Sequence, residues 1–400
     1  MKNQSFTVKG FLSAVTKAHI KKGSDREDLG LIVSESPATA AGVFTRNQVK
    51  AASVLIDQER IRAGAGRAIL VNSGNANACT GERGLKDTRA LTRQVSSLLD
   101  FPENQVFMAS TGVIGLPLPL RRMQQALPAL KASLSPAGLP ALARAIMTTD
   151  TFPKILSREV PLGKQTGRIV GLAKGAGMIQ PDMATMLCFV LTDVALSAEV
   201  LNRILPDAVN QSFNRITVDG DTSTNDLVLV LANGRAGNLP PADPKSPAAR
   251  SFSKALNQVL LGLAKMIIQD GEGATKQVEL IVKGARTAEE ARIMGFTVAN
   301  SPLVKTALFG EDANWGRILA ALGRSGVAFD PARVDLFFDR VQVVGRGLSL
   351  GPEAESRASR VLKKASFTIT VDLLQGKARA TVFTCDLSLD YVKINAHYRT

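Results

Sequence analysis

The sequence predicts an α/β fold, because strand-like apolar runs alternate with helical patterns along the chain. Residues 67–71, 186–191 and 227–232 are nearly continuous apolar runs, which is the pattern of a strand buried on both faces. In residues 85–99 the apolar side chains recur at the spacing of an amphipathic helix, and residues 247–269 form a second, longer helical pattern. These patterns support a mixture of strands and helices and do not by themselves show how the elements are layered.

The first half of the chain is predicted to contain further strands and helices. Strands are predicted over residues 8–12, 29–33 and 106–109, and residues 155–160 and 168–172 are predicted to pair as a hairpin. Helices are predicted over residues 120–134, 140–147 and 197–209. Ser197 is a suitable N-cap for the last of these helices, and Glu199 lies in its first turn.

The last third of the chain is predicted to form a smaller α/β subdomain that begins at about residue 279. The proline-rich residues 237–247, which precede the long helix, are typical of a surface loop. Beyond that helix, strands are predicted over residues 335–338, 341–344, 367–371 and 379–384, with helices over residues 288–294, 315–322 and 353–364.

The composition is that of a globular chain without a membrane-spanning segment. Hydrophobic residues make up 45% and charged residues 21%, which is ordinary for such proteins. No apolar stretch reaches the roughly 18 residues of a membrane helix, and the first residues lack the apolar core of a secretion signal. We therefore expect a cytoplasmic protein. Cys79, Cys188 and Cys385 are widely spaced and form no metal or disulfide pattern, so we expect buried thiols.

The net charge of +14 raises the question of nucleic-acid binding, since basic proteins attract phosphate. The basic residues are scattered, however, and aromatic residues that stack on bases make up 5% of the chain. We interpret the excess charge as solvated surface. A basic nucleic-acid-binding protein is kept as an alternative of a different class.

The most informative stretch begins at Lys174 as a glycine-containing loop and turns into a buried strand after Thr185. A threonine hydroxyl needs a base to become a nucleophile. If the chain breaks before Thr185, the new α-amine, whose pKa is about 7.7 to 8.0, lies beside the hydroxyl and supplies that base. The small Ala184 leaves the hydroxyl room to attack the preceding carbonyl. The alternative is a structural threonine, because β-branched residues favour strands.

The segment from Lys174 to Leu187, with its core of Ala184-Thr185-Met186-Leu187, resembles the cleavage segment of the ornithine acetyltransferase family. These are the glutamate N-acetyltransferases of arginine biosynthesis, and the resemblance extends over essentially the whole chain. It implies self-cleavage into an α chain of residues 1–184 and a β chain of residues 185–400. The β chain would hold the nucleophile strand within residues 185–278 and the C-terminal subdomain from about 279. The resemblance also implies a core layered as helix, sheet, sheet, helix.

The segment Ser110-Thr111-Gly112 follows a predicted strand and is a candidate oxyanion hole. A backbone N–H beside glycine can stabilise a developing oxyanion, although such segments also occur as plain turns. The resemblance implies this role for the side chain of Thr111 and the backbone of Gly112. The asparagine-rich residues 72–78 either line a pocket or bond their own backbone, and these alternatives stay open.

Substrate contacts are implied in segments that also have structural explanations. Residues 148–154 fit a helix stop, and Glu272 between two glycines fits a solvated turn; the resemblance instead makes Glu272 the ligand of a substrate amino group. The polar residues 214–226 lack the later glutamate of a calcium loop, so no metal site is predicted. The full set implied for substrate binding is Thr151, Lys174, Thr185, Glu272, Asn395 and Thr400.

The implied reaction transfers acetyl from N2-acetyl-L-ornithine to L-glutamate by a ping-pong route through an acetyl-threonine on Thr185. The resemblance implies a reaction that needs no metal or organic cofactor and a heterotetramer of two α and two β chains. From the scattered charge and the absence of a long apolar stretch, we expect no nucleic-acid or membrane partner. Whether acetyl-CoA is a second donor, which would make the enzyme bifunctional, stays open. The alternative within this chemistry is a related self-cleaving aminopeptidase or amidase, in which water replaces glutamate.

Overall fold

The computed structural model describes residues 5–21, 23, 25–180 and 186–397 of the 400-residue chain. These residues form two compact units. The first unit comprises the described residues up to 214 together with 221–266, and the second comprises 215–220 and 267–397. Three of the predicted site residues, Ala184, Thr185 and Thr400, lie outside the described residues.

The described strands and helices follow one another in the mixed order that the sequence predicts. The strands are β1 (Phe11–Thr16), β2 (Leu29–Phe44), β3 (Ala65–Asn75), β4 (Val106–Val113), β5 (Lys154–Leu162), β6 (Gln165–Lys174), β7 (Leu187–Thr192), β8 (Ile216–Thr217), β9 (Leu227–Ala232), β10 (Gln277–Ala285), β11 (Asp335–Phe338), β12 (Val341–Gly345), β13 (Leu348–Ser349), β14 (Ser366–Asp372) and β15 (Ala378–Cys385). The α-helices are α1 (Ala52–Arg60), α2 (Gly81–Leu99), α3 (Leu120–Ala132), α4 (Leu139–Ala145), α5 (Ala198–Asn210), α6 (Pro247–Gln269), α7 (Ala288–Ala299), α8 (Pro302–Phe309), α9 (Trp315–Gly323), α10 (Pro352–Leu362) and α11 (Leu389–His397).

The first unit is built on a sheet whose strands are ordered β4-β3-β2-β9-β7-β6-β5, with β1 beside β2. β3 pairs in parallel with β4, and β7 pairs in parallel with β9 from the residue pair Leu187 and Leu227 onward. The remaining neighbours are antiparallel, including the predicted hairpin of β5 and β6. As a result, β3 and β4 end side by side, and β7 and β9 begin side by side.

This sheet folds into two packed layers, as the alternation of side chains along β3 shows. Ile69 and Val71 belong to a core that also contains Phe189 of β7 and Leu229 of β9. Leu70, between them, belongs instead to a core shared with α2 and α3. Because successive side chains of a strand point to opposite faces, the first core lies between the two halves of the sheet and the second lies beneath helices.

A helix also covers the outer face of the other half of the sheet. A Cβ added to Gly171 of β6 would lie 2.5 Å from Val259 of α6, and one added to Gly262 of α6 would lie 2.4 Å from Leu156 of β5. Glycine at these positions therefore lets the helix lie directly on the strands. The helix–sheet–sheet–helix layering expected for this chain is confirmed.

The second unit contains a sheet with the strand order β13-β12-β11-β14-β10-β15-β8. Within this sheet, β10 is parallel to β14 and antiparallel to β15. Leu280 and Ile369 of this sheet share a core with Met294 of α7, Ile318 of α9 and Leu362 of α10. The prediction of a smaller α/β subdomain is thus confirmed. None of the helices in the described ranges combines the length and hydropathy required to cross a membrane.

Some predicted boundaries are wrong, and the differences share a cause. β2 runs through residues 29–44, whereas the sequence predicts a strand of residues 29–33. β3 and β4 continue beyond their apolar runs to Asn75 and Val113, so Thr111 and Gly112 lie in a strand and not in the predicted loop. Pairing between neighbouring strands continues after the side chains become polar, and hydrophobic periodicity does not register this.

Other differences concern elements without a clear sequence pattern. Helices α1, α8 and α11 form where the sequence pattern predicts none. Cys188 and Cys385 are buried as expected, but Cys79 is exposed. Cys79 lies in the loop that follows β3, and its φ of 57° is outside the β region. The alternation that places every second side chain of a strand in the core therefore does not apply to it.

Candidate active site

The ammonium group of Lys174, the last residue of β6, contacts three side chains of the first unit. Its Nζ donates to Thr148 Oγ1 at 2.9 Å and to Thr111 Oγ1 at 3.4 Å, and it lies 3.9 Å from Asp150 Oδ2. Thr111 belongs to β4, whereas Thr148 and Asp150 follow α4, so distant parts of the sequence meet at this ammonium group. We call Thr111, Thr148, Asp150 and Lys174 the lysine cluster. Lys174 is only 9% exposed, so its charge acts in surroundings that screen it less than water does.

Asp150 is the anion of the lysine cluster. Its Oδ1 accepts hydrogen bonds from Lys154 Nζ and from the Gly175 backbone N–H, each at 2.7 Å, and its Oδ2 accepts from the Thr148 backbone N–H at 3.0 Å. Burial raises the pKa of the Asp150 carboxyl, but Lys174, Lys154 and the Thr148 N–H lower it by more, so the pKa lies below its ordinary value of 3.8. Asp150 is therefore ionised at neutral pH and fixes the positions of two ammonium groups.

Gly112, next to Thr111, is a position where two backbones approach closely. Gly112 pairs with Gly74 of β3, and its φ is 132°, a conformation that favours glycine. A Cβ at residue 112 would lie 2.3 Å from the carbonyl carbon of Gly74 and 2.5 Å from the Asn75 nitrogen. The close approach explains why glycine stands here and holds the Thr111–Gly112 backbone against the end of β3.

The asparagines near the end of β3 are engaged by protein groups. Asn72 Nδ2 donates to the Asn75 carbonyl at 2.9 Å, and Asn75 Nδ2 donates to the Leu116 carbonyl at 3.1 Å. Asn77 Nδ2 donates to Thr88 Oγ1 at 2.9 Å. Of the two alternatives that the sequence leaves open, these contacts favour the structural one, in which the asparagines hold loops in place.

Asp226 is a buried carboxyl that no sequence motif marks as functional. It directly precedes β9 and is 3% exposed. Burial raises its pKa well above 3.8, although hydrogen bonds from Ser223 and the Met186 backbone and the charge of Lys174 lower it. Met186 follows Thr185 in the sequence, so a carboxyl with a raised pKa lies beside the residue next to the predicted nucleophile.

In the second unit, two predicted substrate-binding residues are adjacent. Asn395 Nδ2, on α11, donates to Glu272 Oε2 at 2.8 Å, and Glu272 is 8% exposed. The turn that carries Glu272 is fixed by Asp386, which accepts hydrogen bonds from the backbone N–H groups of Thr275 and Lys276 at 2.8 and 2.9 Å. A carboxylate held in this way is a suitable ligand for an amino group.

The remaining candidates are placed as follows. Thr151 is exposed and directly follows Asp150. In the described ranges, the His, Cys, Asp and Glu side chains form no group of three or more that could hold a metal ion. The substrate and catalytic roles of Thr111, Gly112, Thr151, Lys174, Glu272 and Asn395 stay predictions at this point.

The fold and the site together define a layered α/β protein with a buried, charged cluster where β4, β6 and the segment after α4 meet. The sequence model of the ArgJ family matches residues 12–400 of this chain. Because that match spans nearly the whole chain, the protein belongs to the ArgJ family.

Named relatives agree with this assignment. The arginine biosynthesis bifunctional protein ArgJ of Geobacter sulfurreducens is 54% identical over 393 residues, which cover 98% of this chain and 100% of the relative. The protein of the same name from Syntrophotalea carbinolica is 51% identical, and the match covers 98% of this chain and 99% of the relative. Among solved structures, a chain of the arginine biosynthesis bifunctional protein ArgJ from Bacillus halodurans matches with a TM-score of 0.50 and 42% identity, covering 52% of this chain and 98% of that chain.

Proposed function

We propose that this protein is a glutamate N-acetyltransferase that moves acetyl from N-acetylornithine to glutamate through an acetyl ester on Thr185. The observation that carries the proposal is the contact of Lys174 with Thr111 in a chain that belongs to the ArgJ family. A buried ammonium group beside a threonine hydroxyl, next to a glycine backbone, can stabilise negative charge on a substrate oxygen. Such an arrangement suits a reaction that passes through a tetrahedral intermediate.

Maturation precedes turnover in this proposal. The Thr185 hydroxyl adds to the carbonyl carbon of Ala184, the bond from that carbon to the Thr185 nitrogen breaks, and an ester forms. Water then hydrolyses the ester, leaving a carboxylate on Ala184 and a free α-amine on Thr185. That amine is close enough to the hydroxyl, by covalent connection alone, to accept its proton in later cycles.

The length of the matching solved chain supports a cut near the middle of the protein. The match to the solved chain from Bacillus halodurans covers 98% of that chain but 52% of the present one. The solved chain is therefore about half as long as the present chain. The proposed fragment from Thr185 to Thr400 likewise makes up slightly more than half of the sequence. A chain of this length is expected if cleavage separates an α and a β chain.

Turnover then proceeds in two half-reactions. The Thr185 hydroxyl attacks the acetyl carbonyl of N-acetylornithine, ornithine leaves with a proton, and the acetyl group stays on the threonine oxygen. The amino group of glutamate attacks this ester, takes the acetyl group and restores the hydroxyl. In each half-reaction Thr111 and Gly112 donate to the oxyanion, and the charge of Lys174 adds to their effect. The reaction as written uses no metal or organic cofactor.

Two further features belong to the proposal. The relatives carry the name "bifunctional", which supports a second activity, and we propose acetyl-CoA as a second donor to Thr185. Assembly as a heterotetramer of two α and two β chains, a cytoplasmic location, and the substrate contacts of Thr151, Glu272, Asn395 and Thr400 stay predictions. Size-exclusion chromatography with light scattering tests the assembly.

Intact-mass spectrometry of the purified protein tests the nucleophile. We expect two fragments that meet at Ala184 and Thr185 in place of the 42.5 kDa chain. The variant Thr185→Ala removes the hydroxyl, and Thr185→Val is the matched control that keeps a branched side chain of similar size. Both variants should give one uncut chain. An uncut wild-type chain would remove the proposed base and with it the mechanism.

An acyl-acceptor assay then separates the transferase from its closest alternative. The cleaved enzyme is incubated with N-acetylornithine, with and without glutamate, and N-acetylglutamate and free acetate are measured. A transferase produces N-acetylglutamate and releases acetate slowly. Rapid release of acetate that glutamate does not affect would instead indicate the aminopeptidase or amidase alternative, in which water is the acceptor.

A further inference from the structure

Asn225 connects two strand ends of the first unit through its side-chain amide. It stands just before β9 and is 5% exposed. Its Nδ2 donates to the carbonyl of Ser110 in β4 at 2.8 Å and to the carbonyl of Ala76, which follows β3, at 2.6 Å. The two N–H bonds of one amide group therefore tie the beginning of β9 to the ends of β3 and β4.

The orientation of this amide is fixed by its other contacts. Asn225 Oδ1 accepts a hydrogen bond from Thr224 Oγ1 at 2.5 Å, and the Asn225 backbone N–H donates to Ser223 Oγ at 3.2 Å. A flipped amide would place Oδ1 against the carbonyl oxygens of Ser110 and Ala76, which are acceptors and cannot donate to it. The contacts therefore select one orientation, with the amide nitrogen directed at the two carbonyls.

The contact with Ser110 has a direct consequence for the next residue. The Ser110 carbonyl and the Thr111 N–H belong to one planar peptide group, so fixing the carbonyl fixes the direction of that N–H and of the chain leading to Gly112. The Ser110 side chain is held as well, because its Oγ donates to Asn72 Oδ1 at 2.7 Å. The peptide that leads into the proposed oxyanion hole is thus held at its carbonyl and at its side chain.

The second contact holds the neighbouring segment. Ala76 accepts from Asn225 and also donates its backbone N–H to the Val113 carbonyl at 2.9 Å. The end of β3 is therefore tied to the residue that follows Gly112, at the place where the backbones of Gly112 and Gly74 come together. Removing the Asn225 amide would break its hydrogen bonds to Ser110 and Ala76, while the close backbone contact between Gly112 and Gly74 would remain.

We propose that Asn225 is a positioning residue for acyl transfer, which aligns the Ser110–Thr111 peptide and thereby the donors of Thr111 and Gly112. Asn225 acts through these residues and does not itself contact substrate. The inference rests on the proposed function, because the alignment matters for turnover only if these donors stabilise the oxyanion. Asn225 is neutral and mostly buried, so it supplies alignment without adding charge to the lysine cluster.

The test compares Asn225→Ala and Asn225→Asp with Asn233→Ala. Asn233 is the matched control: it follows the other end of β9, is 8% exposed, and donates its Nδ2 to the Lys9 carbonyl at 2.9 Å. Asn225→Asp keeps the size of the side chain and an oxygen for Thr224 but removes the two N–H bonds. Acetyl transfer from N-acetylornithine to glutamate is measured per cleaved chain, counted by intact mass, and thermal unfolding is measured alongside.

We expect each Asn225 variant to lose about 10- to 100-fold in kcat, with KM for N-acetylornithine changed by less than about threefold, because misaligned donors weaken binding of the transition state more than that of the substrate. Asn233→Ala should lower Tm and keep its kcat within about threefold. If Asn225→Ala does not fold, Asn225→Asp decides the question.

Two results would overturn the inference: unchanged kcat in a folded Asn225 variant, or a kcat loss that Asn233→Ala reproduces at the same loss of Tm. The wild-type protein separates this failure from failure of the proposed function. If the wild type neither cleaves nor transfers acetyl, the proposed function is wrong. If the wild type is active and the Asn225 variants are equally active, the positioning role alone is wrong.

Discussion

Removal of the charge of Asp150 should destabilise the first unit strongly. Because Asp150 forms an ion pair with Lys154, single and double variants of the two residues can separate the contribution of the pair from the rest of the loss. Both side chains are fully buried, and Lys154 Nζ lies 2.7 Å from Asp150 Oδ1. The variant Asp150→Asn keeps the shape of the side chain and one oxygen, which can still accept from Gly175 or Thr148. What it removes is the negative charge that faces Lys154 and Lys174.

The expected cost follows from the burial of this pair. Breaking a buried ion pair by removing one partner costs about 3 to 5 kcal/mol, and we expect Asp150→Asn to fall in this range. Lys154→Met keeps most of the aliphatic volume and should cost less, about 1.5 to 3 kcal/mol, the range for a hydrogen bond to a charged group. The difference arises because Asp150 retains Lys174 at 3.9 Å and the backbone N–H groups of Gly175 and Thr148.

Equilibrium urea unfolding, followed by far-UV circular dichroism at neutral pH, measures these costs for the two single variants and the double variant. We expect the double variant to lose at least about 1 kcal/mol less than the sum of the single losses, since the second substitution removes the charge that the first left behind. Acetyl transfer should fall more in Asp150→Asn than in Lys154→Met, because the former also removes the counter-charge of Lys174. Additive losses within about 0.5 kcal/mol would refute the ion-pair argument.

Two further predictions test the backbone of the site and its second carboxyl. Gly112→Ala should lower kcat by about 100-fold and lower Tm, since its Cβ would lie 2.3 Å from the carbonyl carbon of Gly74; Gly115→Ala, also at positive φ but in open space, is the control and should keep its kcat. Burial raises the pKa of Asp226, so its carboxyl binds a proton more strongly in the folded protein than in the unfolded chain. The stability that this proton contributes is complete below the ordinary pKa of 3.8. It is lost as the pH rises through the raised pKa. Asp226→Asn should therefore gain stability over the wild type as pH increases from about 4 to 8 in urea titrations. A difference in stability that does not change with pH would contradict this.

The sequence predicts best those elements whose ends coincide with a change in composition. The bounds of β9 and α6 agree with the prediction at each end. β9 is apolar throughout, and α6 begins at Pro247, directly after a proline-rich loop. β2 is different, because the polar residues 34–36, Pro37 and a register shift between Val33 and Ala38 interrupt its apolar pattern. Such a strand is held together by its neighbours and leaves no continuous signal in its own sequence.

The same limit applies to the candidate site. Family resemblance singled out Thr111 and Lys174, and the structure brings their side chains together. That Thr148 and Asp150 join them is not predictable from the sequence, since residues 148–154 equally fit a helix stop. Asn225 belongs to the polar residues 214–226, and nothing in that pattern indicates that its amide donates to the backbone carbonyls of Ala76 and Ser110. Residue type shows what a side chain can bond, and packing decides which partner it reaches.

The site combines two kinds of support that respond differently to solution conditions. On the side of β3 and β4, the neutral amides of Asn72 and Asn225 hold the side chain and the carbonyl of Ser110, respectively, and these amides do not titrate between acidic and neutral pH. On the side of β6, Lys174 and Asp150 hold one another by charge in surroundings where salt screens weakly. Asn225→Ala, which introduces no titratable group, should therefore lower kcat by the same factor across the pH range. A substitution of Asp150 should change the shape of the pH profile, because it alters the field that acts on every other ionisable group near Lys174. The two profiles together distinguish alignment of the donors from stabilisation of charge.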